Sequence, residues 1–223
     1  MRNFNMTILK EWLKGFNGKT IDYEENPEEF ELTDQGLKEI YLNILPGQLP
    51  PSGSAHWDDI ENWGWRLITT YEPARDCWKD WSEERAGDLY YYLKLNDLVI
   101  SYNWVGFDSK ILNLAGNTRH IGAFSMMDVI KEATGQRLKL QNLSNHNNFY
   151  GVRKDLSKFL NDNPTDEQCQ AYNRNKIKSL NFLVTKAVKD KWLNYYSAGD
   201  DRRLEKLDTS NWAELLAGCR MPF

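Results

Sequence analysis

An amide and a carboxylate stand five residues apart, directly after a short apolar run of the chain. Asn103 and Asp108 belong to the segment NWVGFD, and the preceding residues 97–101 read DLVIS. A short β-branched run of this kind is typical of a buried strand. A carboxylate that follows such a strand lies at the sheet edge where α/β proteins place their chemistry. Alternatively, both side chains only bond backbone groups at a strand–helix turn, as Asn and Asp often do.

Strands and helices alternate along the chain, which predicts an α/β fold with a mixed sheet. Apolar alternation or short apolar runs predict strands at 40–45, 65–71, 97–101 and 121–124, with 75–81 as a hairpin partner. Helical spacing and capping residues predict helices at 82–94, 109–114, 126–134, 138–144, 152–161, 165–196 and 210–219. An amphipathic helix over 6–16 and an acidic segment over 19–32 come first, and residues 47–55 predict an exposed loop.

Composition limits the classes of protein that this sequence can encode. The 223 residues suffice for one domain with a large core, and the net charge of −4 argues against binding nucleic acid through overall charge. Cys77, Cys169 and Cys219 form neither a zinc spacing nor a disulfide framework. No segment has the apolar core of a signal peptide or the length of a membrane span. We therefore expect a soluble, cytoplasmic protein of a reducing compartment, with no membrane partner.

The pattern N-x-x-G-F-D after an apolar strand resembles the second motif of the DEDD-type 3′–5′ exonuclease superfamily, which has the ribonuclease H-like fold. Residues 125–130 (SMMDVI) and 135–143 (GQRLKLQNL) are similar to a later segment of that family, and 57–73 to its second strand and hairpin. The likeness extends over residues 36–195. It implies a ribonuclease H-like mixed sheet flanked by helices over residues 36–223, behind an N-terminal helical extension of residues 1–35.

The resemblance also implies roles for the residues of this motif. Asp108 would be a metal ligand, and Asn103, Trp104 and Phe107 would contact the substrate strand. Trp104 is the aromatic residue that we expect to meet a base or a partner, because the resemblance implies that this turn faces the substrate strand, and bases stack on exposed rings. Arg174 belongs to a basic set in the C-terminal third, which forms either a candidate phosphate-binding face of a helix or a solvated face.

Catalysis in this family requires four carboxylates that hold two divalent ions, Mg²⁺ or Mn²⁺. The third motif matches at Tyr172, which occupies the tyrosine position of the family. Lys176, however, stands where the family has Asp. A lysine amine is itself a cation and cannot replace a metal-binding carboxylate.

The first motif of the family, Asp-x-Glu on the first strand, has three candidate placements. On the predicted strand 40–45, Asn43 and Leu45 replace the Asp and the Glu, so both ligands are lost. We favour this placement because a metal-binding pair needs a rigid central strand. The alternatives keep the carboxylates at Asp22 with Glu24, or at Asp59 with Glu61.

In the favoured placement Asp108 is the one secure ligand, and one carboxylate does not hold two ions. The sequence therefore predicts an exonuclease-like protein that has lost metal-dependent catalysis and needs no cofactor. It would bind single-stranded DNA or RNA, or belong to a larger assembly, for example in DNA replication or repair. One alternative is an active Mg²⁺- or Mn²⁺-dependent 3′–5′ exonuclease that combines Asp108 with Asp22, Glu24 and a fourth carboxylate such as Asp162 or Asp166. The other is a structural protein-interaction module that docks through helix 6–16 and surface tryptophans.

Overall fold

The computed structural model describes residues 38–47, 63–150, 156–197 and 203–219, all within the compact unit Leu37–Phe223. Its centre is a mixed sheet of five strands: β1 Glu39–Pro46, β2 Trp65–Glu72, β3 Cys77–Trp81, β4 Leu98–Ser101 and β5 Ala123–Ser125. The strand order is β3-β2-β1-β4-β5. The first three strands pair antiparallel, whereas β4 pairs parallel with both β1 and β5. The carboxyl ends of β1, β4 and β5 therefore meet at one edge of the sheet.

Helices cover both faces of this sheet. They are α1 Ala86–Lys94, α2 Ser109–Leu112, α3 Met126–Thr134, α4 Leu140–His146, α5 Leu156–Asn161, α6 Asp166–Asp190 and α7 Trp212–Gly218. Successive residues of β1 point to opposite faces. Ile40 and Leu42 belong to a hydrophobic cluster with Leu89 of α1, whereas Tyr41 belongs to another with Leu180 of α6. The predicted α/β class with a mixed sheet is confirmed.

The longest helix, α6, begins behind a capping box and ends earlier than the sequence predicts. Thr165 accepts a hydrogen bond from the Gln168 backbone N–H, and the Gln168 side chain accepts one from the Thr165 N–H. Lys191, with a φ of 65°, ends the helix in a left-handed conformation. The prediction of a helix up to residue 196 is therefore wrong. Trp192–Tyr196 forms strand β6 instead, which pairs antiparallel with β7, Leu204–Asp208.

Several predicted segments lie outside the described residues. They are the N-terminal extension over 1–35 with its helix, most of the loop over 47–55, and the two alternative placements of the first motif, at Asp22 with Glu24 and at Asp59 with Glu61. These segments, and the boundary between extension and domain, stay predictions. Among the helices that the structure describes, none is both long and apolar enough to cross a membrane.

Candidate functional site

The segment after β4 forms one turn of π-helix, Trp104–Asp108, which continues into α2. The backbone N–H groups of Phe107 and Asp108 both donate to the Asn103 carbonyl oxygen, each at 3.0 Å. The helical conformation thus begins before Ser109, five residues earlier than the predicted start of the helix at 109–114. Single π turns of this kind insert an extra residue into a helix and are frequent at functional sites.

This turn is fastened to the neighbouring strand and helix of the same sheet edge. The Trp104 N–H donates to Ser125 Oγ at 3.1 Å, and the Ser125 hydroxyl donates in turn to the Asp128 carboxylate. Ser125 ends β5 and Asp128 lies in the first turn of α3. The backbone of the predicted motif is therefore held at the carboxyl ends of β4 and β5.

Asp108, the predicted metal ligand, is a buried acid with 6% of its surface exposed. Burial raises the pKa of its carboxyl group to about 7, and the neighbouring Ser101 hydroxyl and Asn103 backbone offset only part of this rise. No salt bridge joins Asp108 to any cation among the described residues. Ser101 Oγ and Asn103 Oδ1 are buried and have no hydrogen bond of ordinary geometry within the described part of the chain. The turn thus gathers polar side chains that are not fully bonded.

The glycine of the motif, Gly106, packs closely against the Asn103 side chain. A Cβ atom at this position would lie 2.6 Å from Asn103 Oδ1, closer than such atoms can approach. The turn can therefore fold over the Asn103 side chain only because position 106 carries no side chain.

The structure corrects the expected placement of Trp104. Its side chain is only 8% exposed and belongs to the core cluster that includes Ile111 of α2. The ring is therefore not available for stacking on a base. Phe107 is half-buried and meets Trp63 edge to face at 6.2 Å. The apolar side chain that this turn exposes is Val105, with 63% of its surface accessible, because the π turn points Trp104 inward.

The two first-motif positions on β1 lie on the face that carries α6. Asn43 Nδ2 donates to Asn173 Oδ1 of α6 at 2.7 Å. Leu45 is fully buried and packs in a small cluster with Phe159 and Cys169. The predicted strand at 40–45 is confirmed within Glu39–Pro46. In this placement β1 supplies an amide and a core leucine at its carboxyl end.

Asn173 is the polar residue of α6 that meets the sheet, and the sequence analysis missed it. It is fully buried, and its Nδ2 donates to the Leu67 carbonyl at 3.2 Å and to Thr69 Oγ1 at 3.1 Å. The Thr69 hydroxyl donates to Asp80 Oδ1 at 2.6 Å, and Arg174 donates to Asp80 Oδ2 at 3.1 Å. A continuous polar network therefore joins α6 to β1, β2 and β3. The available signal was spacing, since position 173 continues the buried stripe formed by Cys169, Ile177 and Leu180.

The third-motif residues lie on a different side of the same helix. Tyr172 stacks on Phe159 of α5 with 4.3 Å between ring centroids, and Lys176 Nζ lies 5.3 Å from the centre of the Tyr172 ring. Neighbouring helix positions differ by about 100° in direction. Tyr172 therefore faces α5, while Asn173 faces the sheet.

The described residues do not fit a site for two divalent ions. Such ions need several oxygen ligands, and the matched positions supply Asp108 with Asn43, Leu45 and Lys176. Within the described ranges no three His, Cys, Asp or Glu side chains are grouped so that they could hold a metal. Asp166, a candidate fourth carboxylate, is 89% exposed and lies 3.5 Å from the Arg66 guanidinium. The set that includes Asp22 and Glu24 lies partly outside the described residues and stays a prediction.

Comparison with known proteins bears on the fold. No protein-family model and no curated protein matches the sequence. Among solved structures, the chain is similar to the family B DNA polymerase from the hyperthermophilic archaeon Pyrobaculum calidifontis, with a TM-score of 0.50 and 12% identity. The similarity covers 69% of this chain and only 25% of the polymerase chain. Likeness at this level of identity concerns the fold alone, which is ribonuclease H-like, with a mixed sheet flanked by helices.

Proposed function

We propose that this protein is a relative of the 3′–5′ exonucleases that binds single-stranded nucleic acid without metal-dependent catalysis of its own. The first part is supported by the ribonuclease H-like fold and by the motif at residues 103–108, which lies at the carboxyl end of β4. The likeness to a DNA polymerase agrees with a role in DNA replication or repair, alone or within a larger assembly.

The observation that carries the second part is the contact between Asn43 and Asn173. A two-metal site needs carboxylates from the first strand and the late helix, whose charges the ions neutralise. Here an amide of the strand bonds directly to an amide of the helix at 2.7 Å, and the helix amide bonds onward to β2. Direct hydrogen bonds thus join the strand to the helix, and neither the Asn43 amide nor the Asn173 amide carries a charge that attracts a cation.

The experiment combines metal titration with an assay of single-stranded oligonucleotides, using the full chain. We expect no two-site Mn²⁺ uptake by calorimetry and no shortening of a labelled oligonucleotide in Mn²⁺, together with a rise in its fluorescence anisotropy on binding. Asp108→Asn is the test variant, and Asp88→Asn on α1 is the matched control, because it removes an acid that is only paired with Arg85.

Three outcomes contradict the proposal in different ways. Two metal sites that vanish in Asp108→Asn but persist in Asp88→Asn would mean that the ligand set is complete. Cleavage of the oligonucleotide would make Asp22→Asn and Glu24→Gln the decisive variants, because the active alternative requires both residues as ligands. A protein that neither cuts nor binds the oligonucleotide would be the structural interaction module instead.

A further inference from the structure

An open groove lies between the β2–β3 hairpin and α6. It has a volume of about 520 Å³, within the usual range for small-ligand sites. Tyr71 and Trp78 line it from the hairpin, and Lys178, Asn181 and Phe182 line it from the helix. Along β1, Tyr71 pairs with Tyr41 and Thr69 with Asn43, so the groove lies toward the amino end of β1. It is therefore separate from the motif edge at the carboxyl ends of the strands.

The aromatic side chains of this groove form a platform. Tyr71 and Trp78 are cross-strand partners whose rings stack at 4.2 Å with an angle of 24° between their planes. Phe182 stacks on Phe149 at 5.2 Å. All three lining rings are half-buried, so part of each faces the groove. Nearly parallel rings at an open surface are the sequence-tolerant element with which proteins bind unpaired bases.

Two cations stand beside this platform, one helical turn apart on α6. Arg174 lies 5.8 Å and Lys178 6.0 Å from the centre of the Trp78 ring. The Arg174 guanidinium forms a salt bridge with the Asp80 carboxylate, with 3.1 Å between nitrogen and oxygen. Lys178 is exposed and forms no salt bridge with any residue in the described ranges. The one carboxylate that lines the groove, Asp76, accepts a hydrogen bond from the Tyr71 hydroxyl at 3.1 Å and forms no salt bridge with Lys178. Lys178 is therefore available to an anionic group.

A hydrogen-bonding amide completes the lining. Asn181 Oδ1 accepts from the Thr185 hydroxyl at 3.3 Å, and the amide nitrogen of Asn181 bonds to no described residue. An amide N–H group can donate to the acceptor atoms on the edge of an unpaired base. Ring platform, amide and lysine thus match the base, base edge and phosphate of one nucleotide.

We propose that this groove is a binding site for a nucleotide of a single strand, with the base on the Tyr71–Trp78 platform and the phosphate at Lys178. Asn181 would contact the edge of the base. The inference rests on the proposed nucleic-acid binding and assigns it to a place that the exonuclease-type motif does not include. It also assigns to Lys178, one helical turn from the paired Arg174, the phosphate contact predicted for the basic set of the C-terminal third.

The test is the affinity of the full chain for a fluorescent single-stranded oligonucleotide, measured by anisotropy at a series of salt concentrations that begins at low salt. Trp78→Ala should weaken binding about ten-fold or more, since base stacking contributes roughly 1–3 kcal/mol and 1.4 kcal/mol is a factor of ten. Lys178→Gln, an exposed change that leaves the core intact, should weaken binding several-fold and reduce its salt dependence. Lys131→Gln makes an equal charge change at an exposed position of α3, which follows β5 at the opposite edge of the sheet from the hairpin. This variant and Tyr196→Ala, at an exposed aromatic outside the groove, should leave the affinity unchanged.

The outcomes separate this inference from the proposed function. Binding that is insensitive to both Trp78→Ala and Lys178→Gln would overturn the groove assignment while nucleic-acid binding stands. Absence of oligonucleotide binding would overturn both. A mononucleotide that binds as tightly as the oligonucleotide would show a site for a free nucleotide and overturn the assignment to a strand. Photo-cross-linking of the oligonucleotide to peptides that contain residue 78 or 178 would support the assignment independently of any substitution.

Discussion

At the carboxyl end of β1 the polar side chains bond one another, whereas after β4 several of them do not. Asn43 and Asn173 share a hydrogen bond of 2.7 Å, and Asn173 bonds twice more to β2. After β4, Asn103 Oδ1 is buried with no hydrogen-bond partner among the described residues. Ser101 Oγ, which lies beside the Asp108 carboxyl group, has no hydrogen bond of ordinary geometry there either. A buried polar atom that is bonded strengthens a fold, and one that is not bonded costs about 1–3 kcal/mol.

The difference separates a structural contact from a candidate site. The network around Asn173 has the character of core packing, because each amide group satisfies another. The turn at residues 103–108 has the character of a site, because it buries an acid without a counter-charge and keeps a π turn in place.

The largest expected effect is the pH dependence that Asp108 imposes on stability. Its pKa is about 7 when folded, against an ordinary value of 3.8, so between these values the folded protein holds a proton that the unfolded chain has lost. The free energy of unfolding therefore falls as the pH rises from about 4 to about 7, by up to about 4 kcal/mol. Asp108→Asn removes this loss, and its stability relative to the wild type should increase over the same window. Urea unfolding at pH 4 and pH 8 measures the difference.

Asp88→Asn is the control for this experiment, because Asp88 is half-exposed on α1. The difference in the free energy of unfolding between Asp88→Asn and the wild type should change little with pH. If Asp108→Asn behaves like this control, the Asp108 carboxyl group is hydrated and ionised in the folded protein. The contrast between the network around Asn173 and the turn at residues 103–108 then does not hold.

The second effect is the loss of stability that follows when the polar network around Asn173 is broken. Asn173→Ala leaves the Asn43 amide and Thr69 without their helix partner and removes three hydrogen bonds. We expect a loss of about 3 kcal/mol in the free energy of unfolding, measured by urea denaturation. Asn175→Ala, at an exposed position of the same helix, should change stability by less than about 0.5 kcal/mol. Equal effects of the two substitutions would mean that the network contributes nothing to the fold.

The sheet and most helices could be predicted from the sequence because their signals are local. The strand at 97–101 is an apolar run and α3 ends at a glycine with a φ of 72°, features that each segment carries by itself. The β6–β7 hairpin could not be predicted in this way. Its first strand continues the apolar spacing of α6, and only Lys191 in a left-handed conformation separates them.

The turn that carries Asp108 was predicted at the end of a strand, but the directions of its side chains were not, for a physical reason. A motif fixes which residues follow a strand, whereas the direction of each side chain depends on the turn. The π turn buries Trp104 and exposes Val105, which a sequence pattern does not reveal. In the same way, a shift of one residue on α6 separates the predicted Tyr172 from Asn173, which meets the sheet.

The smallest expected effect concerns the packing of Gly106 on Asn103. A Cβ atom 2.6 Å from Asn103 Oδ1 must displace that side chain, so Gly106→Ala should destabilise the protein by about 1 kcal/mol. Gly87→Ala on α1, where an added Cβ meets nothing within 4 Å, should be neutral or stabilising.

A double substitution identifies the cause of this effect. In an Asn103→Ala background the side chain that obstructs the added Cβ is absent, so the cost of Gly106→Ala should disappear. If the cost stays the same in both backgrounds, the glycine is needed for the backbone of the π turn and not for the approach of Asn103. Gly106 would then be required only by the backbone of the turn. The Asn103 side chain, whose Oδ1 atom has no hydrogen bond among the described residues, would be free to move toward a ligand.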